Sequence, residues 1–210
     1  MKVVVFGATG RIGRKVVSGG IVRGHEVTAA ARRPERVRAP QRIPRIVTCD
    51  ILDAAQVGAA VDGHDVVVVT VGARFALLPG KVHSEGIANV IAAMEAHGAR
   101  RLICVSAAGT DDDNDPNLPP FFTRLMRPVL LGRVWRELRE MESRVRASGL
   151  DWTLVHVPHL TDGPALGNCR VEAGASMPGG LRISRADVAD FMLKELERDE
   201  WVERDVALAY

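Results

Sequence analysis

The sequence predicts an α/β fold, a doubly wound and mostly parallel sheet with helices on both faces. Three observations predict it. Short apolar, β-branched runs alternate along the chain with segments of helical period. Several runs are apolar on consecutive positions ("VVVF", "VVVVT", "LICVS"), as strands are when helices cover both faces of their sheet. And three glycines spaced G-x-x-G-x-x-G stand where the first run gives way to the first helical segment. Alternation of this kind builds right-handed βαβ units.

In chain order, the first run predicts a strand at Lys2–Phe6, and the helical period after the glycines predicts a helix at Arg11–Arg23, closed by Gly24 as C-cap. Strands follow at Glu26–Ala31 and Arg45–Thr48, then a helix at Ala54–Val61 and a strand at Asp65–Val69. A helix at Lys81–His97 ends at Gly98, and a strand at Arg101–Val105 follows it. The last predicted pair is a helix at Arg133–Ser148, ended by Gly149, and a strand at Trp152–Val157. Two stretches break the rhythm. Residues 107–132 are rich in Asp and Pro, and residues 158–183 are similarly irregular. Both follow strands of the second half, so both emerge at the carboxyl edge of the sheet, where ligands bind in such folds.

The 210 residues, 47% hydrophobic, suffice for one core, and a single domain over 1–210 is expected, with those two stretches as substrate-side loops. A net charge of +2 gives no reason to expect nucleic acid or membrane as partner. No apolar run approaches the ~18–20 residues that span a bilayer, and the N-terminus lacks a signal-peptide layout. Cys49, Cys104 and Cys169 are far apart, and the first two lie in or beside apolar runs. Reduced thiols and a cytoplasmic location are the expectation.

Gly7, Ala8, Thr9, Gly10, Arg11, Ile12 and Gly13 read as a dinucleotide turn of the Rossmann type. Gly7 permits the tight turn, Gly10 lets backbone approach a pyrophosphate, and Gly13 allows close helix–strand packing. The phosphates then meet free N–H groups at the positive end of a helix. NAD-binding folds usually end the second strand in an acid that bonds the ribose 2′-OH. Here that strand runs into "TAAARRPERVR", with Arg32 and Arg33 at the tip, and guanidinium groups suit a 2′-phosphate. NADP(H) is therefore favoured over NAD. Asp50 and Ile51 are placed to meet the adenine, and Val71, Gly72 and Ala73 to lie along the riboses.

The segments "VVVFGATGRIG", "CDILDAAQV", "VHSEGIANVIAAMEAHGARRLICVSA" and "RASGLDWTLVHVPHL" together resemble the atypical short-chain dehydrogenase group, within it most of all the biliverdin reductase B/flavin reductase family, which uses NADPH. The likeness runs from Met1 to about Leu196 and is poor in the two irregular stretches, which would select the substrate. It implies a serine beside the nicotinamide at Ser106, in "CVSA", and a histidine lining the substrate cleft at His159, in "VPHL". These are the catalytic candidates. Monomers are implied too, so a monomer or weak homo-oligomer is expected.

What is missing narrows the chemistry. The main short-chain dehydrogenase branch works through Tyr-x-x-x-Lys on a helix. The only tyrosine here is Tyr210, no lysine lies between Lys81 and Lys194, and the corresponding helix reads "WRELREMESRVRAS". Reduction of a conjugated small molecule, a flavin or a tetrapyrrole-like acceptor such as biliverdin, stays open, the cofactor carrying the hydride chemistry. A redox-sensing NADP-binding regulator of NmrA-like type would lack the same pair and is the alternative. No metal site is expected: "DDDND" at Asp111–Asp115 lacks the ligand spacing of a calcium loop, and Pro158 keeps His156 and His159 off a shared helix face. Phe121, Phe122 and Trp135 are candidates to stack on a flat acceptor, and Arg74, Arg124 and Arg127 to meet its anionic groups. The interleaved Arg and Glu of 133–146 read as a mixed-charge surface.

Overall fold

A computed structural model of the chain describes residues 1–38, 43, 45–72, 81–110, 117 and 127–210, with backbone only for 127–131. Strands β1 (Lys2–Phe6), β2 (Glu26–Ala31), β3 (Arg45–Thr48), β4 (Val66–Val69), β5 (Arg101–Ala107), β6 (Asp151–Val157), β8 (Arg170–Ala173) and β10 (Arg204–Ala209) form one sheet, ordered β3-β2-β1-β4-β5-β6-β10-β8. Its pairings are parallel except that β8 runs antiparallel to β10. The order reverses between β1 and β4, which opens a crevice at their carboxyl ends.

Successive strand residues point to opposite faces, and both faces are covered. Val3, Val5, Val27, Val66 and Val68 pack under helices α1 (Arg11–Val22) and α5 (Arg185–Arg198), which supply Val16, Val17, Val188 and Met192. Val4, Phe6, Val67, Val69, Leu102 and Leu154 pack under α2 (Ala54–Val61), α3 (Ser84–His97) and α4 (Arg127–Ala147), which supply Val57, Ile87, Met94, Met141 and Val145. Each such side chain is worth ~1.5–3 kcal/mol on burial, so the two apolar layers hold the sheet between them. That is why these strands read as unbroken apolar runs.

The boundaries shift where local chemistry decides. Residues 81–83 form a turn, and α3 starts at Ser84. Strand β5 runs on to Ala107 because β6 pairs with it through Val157. Helix α4 starts at Arg127, inside the stretch expected to be irregular. The irregular 158–183 stretch contains β8 and, with Ser184, a second small sheet, β7 (His159–Thr161) paired in parallel with β9 (Arg182–Ser184). Helix α5 and strand β10 are additions to the predicted order. Ser184 caps α5, its hydroxyl accepting from the Asp187 N–H. Among the described residues no helix is long and apolar enough to cross a membrane.

Candidate functional site

The glycine turn is built by exclusion of side chains. Gly7 has φ +83°, and a β-carbon there would stand 2.9 Å from the carbonyl carbon, carbonyl oxygen and Oγ1 of Thr70. A β-carbon on Gly13 would stand 2.3 Å from the Gly7 carbonyl oxygen. Gly10 is the extended residue before α1 and offers no side-chain cap, so the first N–H groups of the helix are left for a ligand. Its own N–H donates to the Gly7 carbonyl at 2.8 Å. Thr70, which sequence reasoning passed over, pins this turn from β4: its hydroxyl donates to the Phe6 carbonyl at 3.0 Å and approaches that of Gly7 at 3.4 Å.

In front of the turn lies a cleft of about 1200 Å³. Drug-sized sites usually run to ~300–1,000 Å³, so there is space for an extended ligand. Gly7, Thr9, Gly10, Arg11, Ile12, Arg32, Arg33, Asp50, Ile51, Val71 and Gly72 line it, so the structure brings together most of the residues the sequence picked out. Ala8 is fully buried and, like Gly13, supports the turn from behind. Ala73 lies outside the described residues, as do Arg74, Asp111–Asp115, Phe121, Phe122 and Arg124.

The lining is strongly cationic. It also includes Arg14, Arg36 and Arg185, and among the described residues its only acid is Asp50. The Arg14 guanidinium donates to the Arg36 carbonyl at 3.2 Å, tying α1 to the turn that carries Arg32 and Arg33. At the other end Asp162 bridges Arg11 (2.7 Å) and Arg185 (2.9 Å). Desolvation pulls the Asp162 carboxyl up, the two guanidiniums pull it further down, and the net shift is downward. Cys49, in the cleft wall, stays a neutral thiol: burial and the Asp50 and Asp53 charges push it up to about 11.

The two catalytic candidates part company. His159 is exposed on β7, and neither it nor Ser106 lines the cleft, although their neighbours Val105 and Leu160 do. Ser106 is 4% exposed and its hydroxyl donates to Glu142 of α4, which is itself fully buried. This corrects the reading of α4 as a mixed-charge surface. Glu140 and Arg144 are paired in the open, but Glu142 faces inward with Leu138, Met141 and Val145.

Around Glu142 the polar groups close on one another. Thr110 donates to it at 2.7 Å and Arg146 at 3.3 Å. Arg146 also holds Asp205 of β10 at 2.7 Å. His156, opposite Ser106 across the β5–β6 register and fully buried, contacts Asp205 through Nε2 at 2.8 Å and the Ala107 carbonyl through Nδ1 at 3.2 Å. Burial lowers the affinity of its ring for a proton, but the hydrogen bond to Asp205 and the Glu142 charge outweigh it and the pKa is raised. Burial likewise works against the Asp205 charge, yet the bonds from His156 and Arg146 hold its carboxyl down at about 2. The signal for this cluster was present in the sequence: an acid at the i+4 position of an apolar helical stripe, and a histidine inside a strand buried on both faces.

Residues 7–199 match the family model described as NAD(P)H-binding. A 3-diazoavenalumate denitrifying reductase of Streptomyces is 32% identical over 185 residues, 81% of this chain and 59% of that protein. Among solved structures, a short-chain dehydrogenase/reductase from Veillonella parvula in complex with NADP superposes with a TM-score of 0.83 at 16% identity, covering 100% of this chain and 94% of that one. An anaerobilin reductase from Escherichia coli O157:H7 superposes with a TM-score of 0.78 at 22% identity, covering 100% and 97%. At these identities the solved structures speak for the fold.

Proposed function

Because the chain belongs to the NAD(P)H-binding family, we propose that it is an NADPH-dependent reductase acting on flavin or a similar conjugated acceptor such as biliverdin. One observation carries the reading: a turn at the head of α1 that excludes a β-carbon at Gly7 and Gly13 opens into a cleft lined, among the described residues, by arginines and a single acid. Such a donor set fits a dinucleotide with three phosphates, and the cradle exists because no β-carbon fits at Gly7 or Gly13. Bound NADPH would supply the hydride.

The chain's own residues divide the work. Thr9, Arg11 and Ile12 present backbone N–H groups and one guanidinium to the pyrophosphate, while Gly10, its own N–H bonded to the Gly7 carbonyl, lets the backbone come close, with Gly7, Ala8 and Gly13 shaping the turn. Arg32 and Arg33 take the 2′-phosphate at the end of β2, where an NAD-specific site would hold an acid. Asp50 and Ile51 border the adenine; Val71 and Gly72 border the riboses. Ser106 and His159 belong to the acceptor side. A tyrosine proton donor has no place in this scheme, since the Tyr210 hydroxyl is given to Asp187 at 2.5 Å.

The test is oxidation of NADPH by FMN, followed at the nicotinamide band with NADH as control, in the wild type and in Arg32→Glu with Arg33→Glu. Turnover is expected with NADPH. The double variant should bind NADPH more than about tenfold more weakly while NADH binding barely changes, because only the 2′-phosphate contacts are lost. Equal losses for both cofactors would refute the phosphate assignment. Tight NADPH binding without oxidation by flavins, quinones or tetrapyrroles would replace the reductase with a redox sensor.

A further inference from the structure

The cluster behind Ser106 has no part in the scheme above, yet Glu142, His156 and Thr110 at its centre are fully buried and polar, and such groups are costly to desolvate unless each is satisfied. Its geometry sets two protonation states. Carboxylates and carbonyls accept only, so the Ser106 hydroxyl spends its one proton on Glu142. To any further partner the Ser106 oxygen then offers only lone pairs, as a hydrogen-bond acceptor. His156 stands between two acceptors, the Asp205 carboxylate at Nε2 and the Ala107 carbonyl at Nδ1. A neutral imidazole donates from one nitrogen, so both bonds together require the imidazolium. The Thr110 hydroxyl, 3.4 Å from Nδ1, supplies no proton to it, because it donates to Glu142.

We propose that Glu142 and His156 are positioning residues of the reaction site, a buried carboxylate–imidazolium pair that fixes the Ser106 hydroxyl and the 107–110 turn behind it. The proposal rests on the reductase reading, since it acts through Ser106. The described ion pairs alternate in sign: Glu142 and Asp205 are negative, His156 and Arg146 positive. Every charged group that faces the ring in the described structure is among these, Glu142 and Arg146 from α4 and Asp205 from β10. Strand β5 and its turn contribute only the neutral Ser106, Ala107 and Thr110, while Arg139 of α4 holds the Thr110 carbonyl at 2.6 Å. Loss of the imidazolium proton removes a positive charge 3.7 Å from a glutamate with no exposure to water. One of the two ring bonds is then lost, and with it the side-chain link from the Ala107 carbonyl to Asp205. The glycine turn and the arginines stand apart from this cluster, so cofactor binding is spared.

The test is the pH profile of kcat with NADPH and FMN, together with NADPH Kd, in the wild type, Glu142→Gln and His156→Arg. In the wild type kcat should fall on the alkaline side of 6.5, the ordinary imidazole value, by about tenfold per pH unit once past the His156 pKa. Glu142→Gln removes the neighbouring charge and should move that limb at least about one unit toward acid. His156→Arg carries a permanent charge and should abolish the limb up to about pH 9. NADPH Kd should stay within about twofold throughout, as a change confined to kcat requires. An arginine in so buried a place also tests folding, so the wild-type His156 ring is titrated by nitrogen NMR alongside, with both nitrogens protonated at neutral pH as the expected result. A neutral tautomer at neutral pH, or one unchanged limb in all three proteins, would overturn the proposal. A wild type that binds NADPH without oxidising it would refute the reductase reading instead, and the ring titration would then decide the pair alone.

Discussion

Replacement of Gly13 by alanine isolates the packing that makes the cofactor turn possible. Gly13 lies in α1 with helical backbone, so the substitution carries no penalty of φ. On helix propensity alone it should stabilise by ~1 kcal/mol. Against that, the new β-carbon would stand 2.3 Å from the Gly7 carbonyl oxygen and 2.8 Å from Thr70 Oγ1. The first obstacle is backbone, held by the Gly10 N–H and by Thr70, so relief means moving the whole turn. Overpacking against a rigid wall typically costs ~1–3 kcal/mol and sometimes more, and this contact lies at the severe end. A net loss of about 2 kcal/mol follows, or some 4–8 °C in Tm for a chain of this size. Gly58→Ala is the control. It too is helical, but its β-carbon would meet only His97 Nε2 at 3.7 Å, an ordinary contact, so it should stabilise by ~0.5–1 kcal/mol. Thermal and urea unfolding of both variants, with NADPH titrations, provide the measurement. If Gly13→Ala is as stable as Gly58→Ala and binds NADPH normally, the turn does not depend on close backbone approach and the argument from its glycines fails.

Two further outcomes follow from charges at the ends of the site. Asp162→Asn removes an anion that stands between two cleft arginines; the Arg11–Asp162 pair is mostly exposed, so stability should barely change. NADPH affinity should rise about three- to tenfold at low salt, an effect that shrinks as salt is added; weaker binding would show instead that the bridge holds the cleft in shape. Folding stability should also carry the signature of the buried cluster. The Asp205 carboxyl is depressed from 3.8 to about 2, so its contribution is present above 3.8 and lost as pH falls through about 2. His156 is raised from 6.5, so its contribution is full below 6.5 and lost as pH climbs through the folded value. The urea midpoint should therefore be highest between about pH 4 and 6.5. Asp205→Asn should flatten its fall between pH 4 and 2, and parallel curves for the two proteins in that range would contradict the assignment.

The parts of this protein that were legible in its sequence share one property: a single residue type decides each of them. Val3 to Phe6 and Val66 to Val69 are buried on both faces of the sheet, which leaves no polar alternation to confuse with any other strand. Gly7 and Gly13 sit where any β-carbon collides. The arginines at 32 and 33 directly follow the last residue of β2, where the dinucleotide site needs its discriminating group. The parts that stayed hidden depend on partners far along the chain. Strands β7 and β9 are three residues each and partly exposed, too short to show a period, and each exists because the other lies beside it. Helix α5 buries Arg185, Asp187 and Glu195, which interrupt its apolar stripe. Each is stabilised from outside the helix, by Asp162, by Tyr210 with the 166–167 backbone, and by Arg101 with the Trp201 N–H. Glu142 and His156 carry the same lesson to the reaction site. Taken singly, a glutamate in an Arg-rich helix reads as surface, and a lone histidine inside an apolar strand carries no sign of its partner. A buried charge is tolerable only when its counter-charge arrives with it, so the two have to be inferred together: an acid on the apolar stripe of one helix calls for a cation on the strand it covers, and His156 is that cation.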